Sequence, residues 1–232
     1  MKRKSKQNAD FRLIDSFGHR SPEAEAYKIL RTNLQFLTVD KEVRTILFTS
    51  TAPDEGKSTT AANLALTLAA AGKNVLLVDC DLRMPVQHKI FNVLNNSGLT
   101  NILAENIAPA DCIRAVPGYD LRLLSSGPLP PNPAELLDSE RMSRLMNELK
   151  QRYDYVLIDA PPILAVTDAI ILGSKVDGVI LVSSIGSTNI DKAKEAKETL
   201  IKGQARILGV VLNGVERSGD DEYYYYYYGK ES

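Results

Sequence analysis

The sequence contains no tryptophan, only two cysteines and only two histidines in 232 residues. Cys80 and Cys112 form no Cys-x-x-Cys pair, which argues against a zinc cage or a dithiol redox centre. A reducing compartment is the simplest setting for two lone thiols. His19 and His88 are isolated from each other and from the cysteines, and read as ordinary surface residues rather than metal ligands. No run approaches the roughly 18 apolar residues of a membrane-spanning helix. There is no excess of one charge either. The 28 Lys+Arg against 29 Asp+Glu leave a formal net charge of -1, so the chain as a whole is not a polycation for nucleic acid. Its basic start, MKRKSKQNADFR, leads into no apolar segment and does not read as a signal peptide. It reads as a flexible arm over residues 1–20, with contact to anionic lipid or an acidic partner as the sharper alternative. Phenylalanine is scarce at 5, but tyrosine numbers 10. Six of these form one run, Tyr223, Tyr224, Tyr225, Tyr226, Tyr227 and Tyr228, close to the end of the sequence. A composition aimed at building a core would scatter them.

What is present is a regular alternation. Apolar, β-rich runs fall at 45–50 (TILFTS), 74–79 (NVLLVD), 121–126 (LRLLSS), 155–160 (YVLIDA), 178–183 (GVILVS) and 207–212 (ILGVVL). Helical patterns lie between them at 58–71, 139–152 and 189–202, with Gly72 placed to end the first. Continuous apolar strands separated by helices predict an α/β fold, a mostly parallel sheet covered by helices on both faces. Upstream, residues 21–37 read as one helix. Ser21 suits the N-cap, Pro22 the first turn, and Glu23 and Glu25 the positive end of the dipole. The body of the fold is expected over 21–219. Residues 220–232, acidic and tyrosine-rich without periodicity, are expected to form a disordered tail.

Ligands in such sheets bind beyond the C-terminal ends of the strands, and the chemistry-bearing residues gather there. The first strand runs into TAPDEGKSTT, which opens the first helix. Gly56, Lys57 and Ser58 match the end of a phosphate-loop (Walker A) pattern, although Thr51 stands where its first glycine is usual. Gly56 allows the backbone to approach a phosphate, and the helix start offers free N–H groups. Lys57 can reach terminal phosphates, the Ser58 hydroxyl can hold Mg²⁺, and Thr59 is placed toward an α-phosphate. The plain alternative is a Gly-Lys-Ser helix start that binds nothing. Two further acidic strand ends weigh against it. Asp79 and Asp81 close the second strand, and Asp159 closes YVLID. Asp159 suits a carboxylate that orients Mg²⁺. Asp79 and Asp81 are expected to point to opposite sides and divide roles between metal and nucleophile.

Taken together, the motifs APDEGKSTTAANLA, VLLVDCDLRMP, GLTNIL, SGPLPPNPAELL, VLIDAPPILAVTDA and LNG, followed by the terminal tyrosines, resemble the bacterial tyrosine kinase family. The resemblance is to the cytoplasmic kinases of capsule and exopolysaccharide systems, and it runs from about residue 21 to the tail. It implies a P-loop NTPase fold using ATP and Mg²⁺, with Gly56, Lys57, Ser58 and Thr59 as the phosphate loop. It implies that Asp79 and Asp81 form the Walker A-prime motif, one as base toward a tyrosine hydroxyl and the other supporting Mg²⁺. Asp159 becomes the Walker B aspartate, and Ser58, Asp81 and Asp159 the metal set. Asn213 corresponds to a position near adenine. The six terminal tyrosines become autophosphorylation sites. The family's self-association helix carries Glu-x-x-Arg-x-x-Arg; this chain has Glu25, Lys28 and Arg31, and a lysine cannot reproduce a bidentate guanidinium contact. Asp54 occupies a loop position where glycine is common.

The implied partners are further copies of the chain in a ring, a separate transmembrane activator or chain-length regulator, a protein-tyrosine phosphatase and other tyrosine substrates, with no nucleic acid. The implied setting is cytoplasmic, at the inner face of the membrane through that activator. Two other readings compete. A partitioning or septum-positioning ATPase shares the sheet pattern, but usually carries an extra lysine where Ala52 stands and often ends in a basic amphipathic helix. A nucleotide-binding assembly regulator without activity is opposed by the intact Lys57, Asp79, Asp81 and Asp159.

Overall fold

A computed structural model describes residues 11–18, 21–37 and 42–215. Among these, seven strands form one sheet in the order β3-β4-β2-β5-β1-β6-β7. The strands are β1 (Thr45–Ser50), β2 (Val75–Asp79), β3 (Arg114–Ala115), β4 (Arg122–Leu124), β5 (Tyr155–Asp159), β6 (Gly178–Ser184) and β7 (Ile207–Asn213). Every neighbouring pair is parallel except β3 and β4, which form a short antiparallel edge. The mostly parallel α/β sheet expected from the apolar runs is therefore present.

Side chains alternate across each strand, and the core divides accordingly. Leu47, Leu76, Val78, Val156 and Ile158 face one layer, which contains α7 (Glu140–Arg152), α8 (Asp168–Gly173) and α9 (Ile190–Lys202). Ile46, Phe48, Val75, Leu77 and Leu157 face the other, built on α2 (Lys57–Ala69), with Leu34 of α1 (Pro22–Leu37) packed onto it. β1, β2 and β5 are buried throughout, so their sequences are apolar without alternation.

Helix ends follow the expected chemistry. The Ser21 hydroxyl accepts from Ala24 N–H at 3.1 Å, and the Ser139 hydroxyl accepts from Met142 N–H at 3.2 Å, so Ser139 caps α7 rather than joining it. Gly72 takes a left-handed φ of 77° just past α2. Two differences stand out. β3 has no counterpart in the sequence reading, because two exposed residues carry no periodicity. β7 reads as a strand covered on both faces but lies at the sheet edge, with Val210 and Leu212 56% and 59% exposed. Four short helices, α3 (Gln87–Ile90), α4 (Leu99–Glu105), α5 (Pro109–Cys112) and α6 (Pro133–Asp138), fill connections between the predicted elements. No helix among the described residues is long and apolar enough to cross a membrane.

Candidate active site

The ends of β1, β2 and β5 meet at one rim of the sheet, where Asp79 pairs in register with Asp159. The loop from β1 to α2 closes over this rim. Gly56 sits at φ 88°, and a Cβ there would lie 2.0 Å from Asn213 Nδ2. Both the backbone angle and the close approach require glycine. Asn213, at the end of β7, donates to the Glu55 carbonyl at 3.3 Å and so flanks the loop. Gly56, Lys57, Ser58, Thr59, Asp81 and Asn213 line one cavity of about 1470 Å³ running between the phosphate loop, α1 and β7.

The Lys57 ammonium lies 3.0 Å from Ser58 Oγ, 3.2 Å from Asp81 Oδ2 and 3.3 Å from Asp159 Oδ1. Burial opposes its charge, but the carboxylates of Asp159 and Asp81 outweigh that effect and hold its pKa above the ordinary lysine value. Arriving phosphates can replace those carboxylates as the lysine's counter-charge.

The two A-prime aspartates differ. The expectation that strand geometry sets them on opposite sides is wrong: residues two apart share one face of a strand, and it is the end of β2 at Asp79 that lets Asp81 turn elsewhere. Asp79 is fully buried. Its carboxylate accepts from the N–H groups of Asp81, Val86 and Gln87, at 3.2, 3.1 and 2.9 Å. Burial, then the charge of Asp159, pushes its pKa well above the usual carboxylate value. Asp81 accepts from Met84 N–H at 2.9 Å and lines the cavity, which Asp79 does not.

No group of three His, Cys, Asp or Glu side chains among the described residues would cage a metal ion. The donors here are a hydroxyl, Ser58, and two carboxylates, Asp81 and Asp159, gathered around one ammonium. A hard-oxygen set of this size suits Mg²⁺, which keeps several waters and takes further ligands from phosphate.

The chain's similarity to known proteins falls on the same residues. A family model for the AAA domain matches residues 43–202. The tyrosine-protein kinase YwqD of Bacillus subtilis is 46% identical over 86% of this chain and 84% of its own length. The chain belongs to the bacterial tyrosine kinases. The crystal structure of the chimerical protein CapA2B2 superimposes on the kinase with a TM-score of 0.84 and 41% identity, covering 88% of this chain and 90% of that one. The septum site-determining protein MinD of Pyrococcus horikoshii, complexed with Mg-ADP, reaches a TM-score of 0.65 at 28% identity over 76% and 72% of the two chains. The kinase therefore shares the MinD-like sheet, while its nearer likeness is to tyrosine kinases; the partitioning reading is not favoured. It is a nucleotide-binding enzyme that phosphorylates protein tyrosine.

Three features of the kinase site were not assigned roles from sequence. Glu55, inside the loop, is buried. Its carboxylate accepts from Thr51 N–H, the Thr51 hydroxyl, Ala52 N–H and the Thr188 hydroxyl, at 2.7, 2.6, 3.2 and 2.6 Å. It thus ties the loop to the turn after β6. Arg83 grips the buried Asp168 with two parallel bonds of 2.9 and 3.0 Å, anchoring the A-prime loop to the start of α8. Gln87 joins Asp159 to Ser58. Both Arg83 and Asp168 fall within motifs that carry the family resemblance, but spacing alone gave no reason to pair them.

On α1, Glu25 and Lys28 form a half-buried ion pair of 3.1 Å, while Arg31 turns onto the Thr67 carbonyl of α2 at 3.4 Å. Residues 1–10 of the basic arm and the six terminal tyrosines lie outside the described residues.

Proposed function

We propose that the kinase transfers the γ-phosphoryl group of ATP to the tyrosines at 223–228 of its own kind, and thereby regulates capsule or exopolysaccharide synthesis and export. The observation that carries this reading is the Lys57 ammonium held between Asp81, Asp159 and Ser58 at the mouth of the cavity. In the reaction the tyrosine oxygen bonds to the γ-phosphorus as the bond to ADP breaks. Lys57 leaves its carboxylates and follows the charge of the transferring group. Magnesium, held by Ser58, Asp81 and Asp159, would neutralise phosphate charge.

Asp81, which faces the cavity, is the metal-side member of the A-prime pair. The carboxylate of Asp79 is taken up by three main-chain N–H groups and serves to shape the loop. A phenol of pKa about 10 is not fully deprotonated by an aspartate. The proton need move only as the new bond forms. Asn213 belongs at the base end of the nucleotide, beside Gly56.

The wider reading has the kinase in a ring of copies using α1, through Glu25, Lys28 and Arg31. A separate transmembrane activator recruits it from the cytoplasm to the inner face of the membrane. A phosphatase resets it, and other tyrosine proteins are also modified. The experiment is incubation with Mg-ATP followed by mass spectrometry of the C-terminal peptide. Phosphate is expected on the tyrosine run, and its loss is expected in a folded Lys57→Ala variant. An unchanged phosphotyrosine signal in that variant would refute the assignment.

A further inference from the structure

The carboxamide of Gln87 has no part in the roles described so far. Gln87 opens α3 and is fully buried. Its Nε2 donates to Asp159 Oδ2 at 2.8 Å and to the Ser58 main-chain oxygen at 3.1 Å. Both amide hydrogens are thereby used. The orientation is fixed, because a reversed amide would set its oxygen against two acceptors. Gln87 Oε1 is buried and has no partner among the described residues. A buried amide oxygen without a donor is costly, and natural sites keep one where a donor arrives.

Asp159 is contacted through both oxygens, by Lys57 on Oδ1 and by Gln87 on Oδ2. The two contacts differ in permanence. Phosphates draw the Lys57 ammonium away. The neutral amide of Gln87 has no such competitor. Charge also favours an amide at this position. A glutamate would add a fourth acid beside Asp79, Asp81 and Asp159, and a leucine would leave Asp159 Oδ2 and the Ser58 carbonyl without this donor.

We propose that Gln87 is a positioning residue for magnesium. Its amide holds Asp159 and the first turn of α2 in register once Lys57 has moved. This rests on the reading of Ser58, Asp81 and Asp159 as the metal site.

The test is titration of the full chain with a fluorescent ADP analogue, in Mg²⁺ and in EDTA. The parent protein should bind more tightly in Mg²⁺. Gln87→Glu keeps the side-chain shape and the main-chain bond to Asp79. Gln87→Leu removes both donor and acceptor. Each should reduce the metal-dependent gain about tenfold, the scale of one lost hydrogen bond to a charged group. Affinity in EDTA should stay within about threefold, and half-maximal phosphorylation should need more Mg²⁺. A merely structural role would not produce that split.

The proposal is overturned if Gln87→Glu keeps the full metal-dependent gain. It is overturned equally if affinity falls as much in EDTA. Where Gln87→Leu fails to fold, Gln87→Glu decides through its metal-dependent gain. Absence of any metal-dependent gain in the parent protein would overturn the metal-site reading and this inference with it.

Discussion

Asp54 and Gly56 both adopt a left-handed backbone, at φ 63° and 88°, yet only one is glycine. Gly56 has no alternative, because Asn213 fills the space a Cβ would take. Asp54 is exposed and faces no such neighbour, and aspartate tolerates the left-handed region better than most residues. Its φ is one that glycine adopts without strain. Asp54 also lines the cavity, where its charge opposes an incoming phosphate. Asp54→Gly should therefore act twice. Relief of the backbone, partly offset by the freedom glycine adds to the unfolded chain, should leave stability within about 1 kcal/mol of the parent. Removal of the charge should tighten ADP binding about two- to fivefold at low ionic strength, and the gain should shrink in salt. Calorimetric titration at two salt concentrations checks this, and a gain that ignores salt would assign it to the backbone instead.

At the scale of elements, Asp177 is the junction of the lower sheet rim. It accepts from Arg44 N–H, Thr45 N–H and the Thr45 hydroxyl, each at 3.0 Å, and pairs with Lys150 at the end of α7. Burial alone would raise its carboxyl, but the Lys150 ammonium and the Thr45 and Arg44 donors bring it below the ordinary carboxylate value. A folded pKa below the unfolded one gives stability that is present above the unfolded value, about 3.9, and is lost as pH falls through the folded value. Asp177→Ala should thus cost about 2 to 3 kcal/mol at pH 7, by loss of several bonds to one charge. The difference from the parent should narrow below about pH 4. Urea melts at a series of pH values measure it, and a constant difference down to pH 3 would remove the electrostatic explanation.

Such junctions mark the boundary of what could be read from the sequence. The strands at 45–50, 155–160 and 178–183 were legible because both their faces are buried, which leaves an apolar run with sharp ends. Lys57, Asp79, Asp81 and Asp159 were legible because each sits at a strand or helix end beside a motif. Glu55, Gln87 and the Arg83–Asp168 pair were not given roles, because they depend on which way a side chain turns across long sequence distances. Asp79 shows the same limit. Alternation within a strand would set Asp79 and Asp81, two apart, on one face, and only the end of β2 at Asp79 separates them. β7 was legible as a strand, but its sequence did not reveal that it would be an edge, because Ile207, Val210 and Leu212 are as apolar as residues of a central strand.

For the whole molecule, the exit point of the chain matters most. β7 runs parallel to β6, so Asn213 ends at the same rim as Gly56 and the phosphate loop. Only seven residues separate Val215 from Tyr223 in sequence. Even fully extended, that link reaches no more than about 30 Å. If the tyrosine run is the substrate proposed above, that reach brings its first residues within range of the active-site rim, at high effective concentration. The four remaining tyrosines are engaged in the body: Tyr27 receives a bond from Asn63, Tyr119 packs edge-on against Phe91, and Tyr153 and Tyr155 pack on the core. Each phosphate adds about -1.5 to -2 charges. Six would add about -9 to -12 to a chain whose formal net charge is -1, next in sequence to Asp220, Asp221 and Glu222. On the proposed reading, a carboxylate-rich site of a neighbour that takes the neutral tail should expel the phosphorylated one. Complete phosphorylation is therefore expected to lower the assembly size seen by light scattering, with the effect weakening as salt screens the charge. Dephosphorylation should restore the larger size. If the fully phosphorylated and unphosphorylated proteins scatter alike at low ionic strength, the tail does not control assembly by charge.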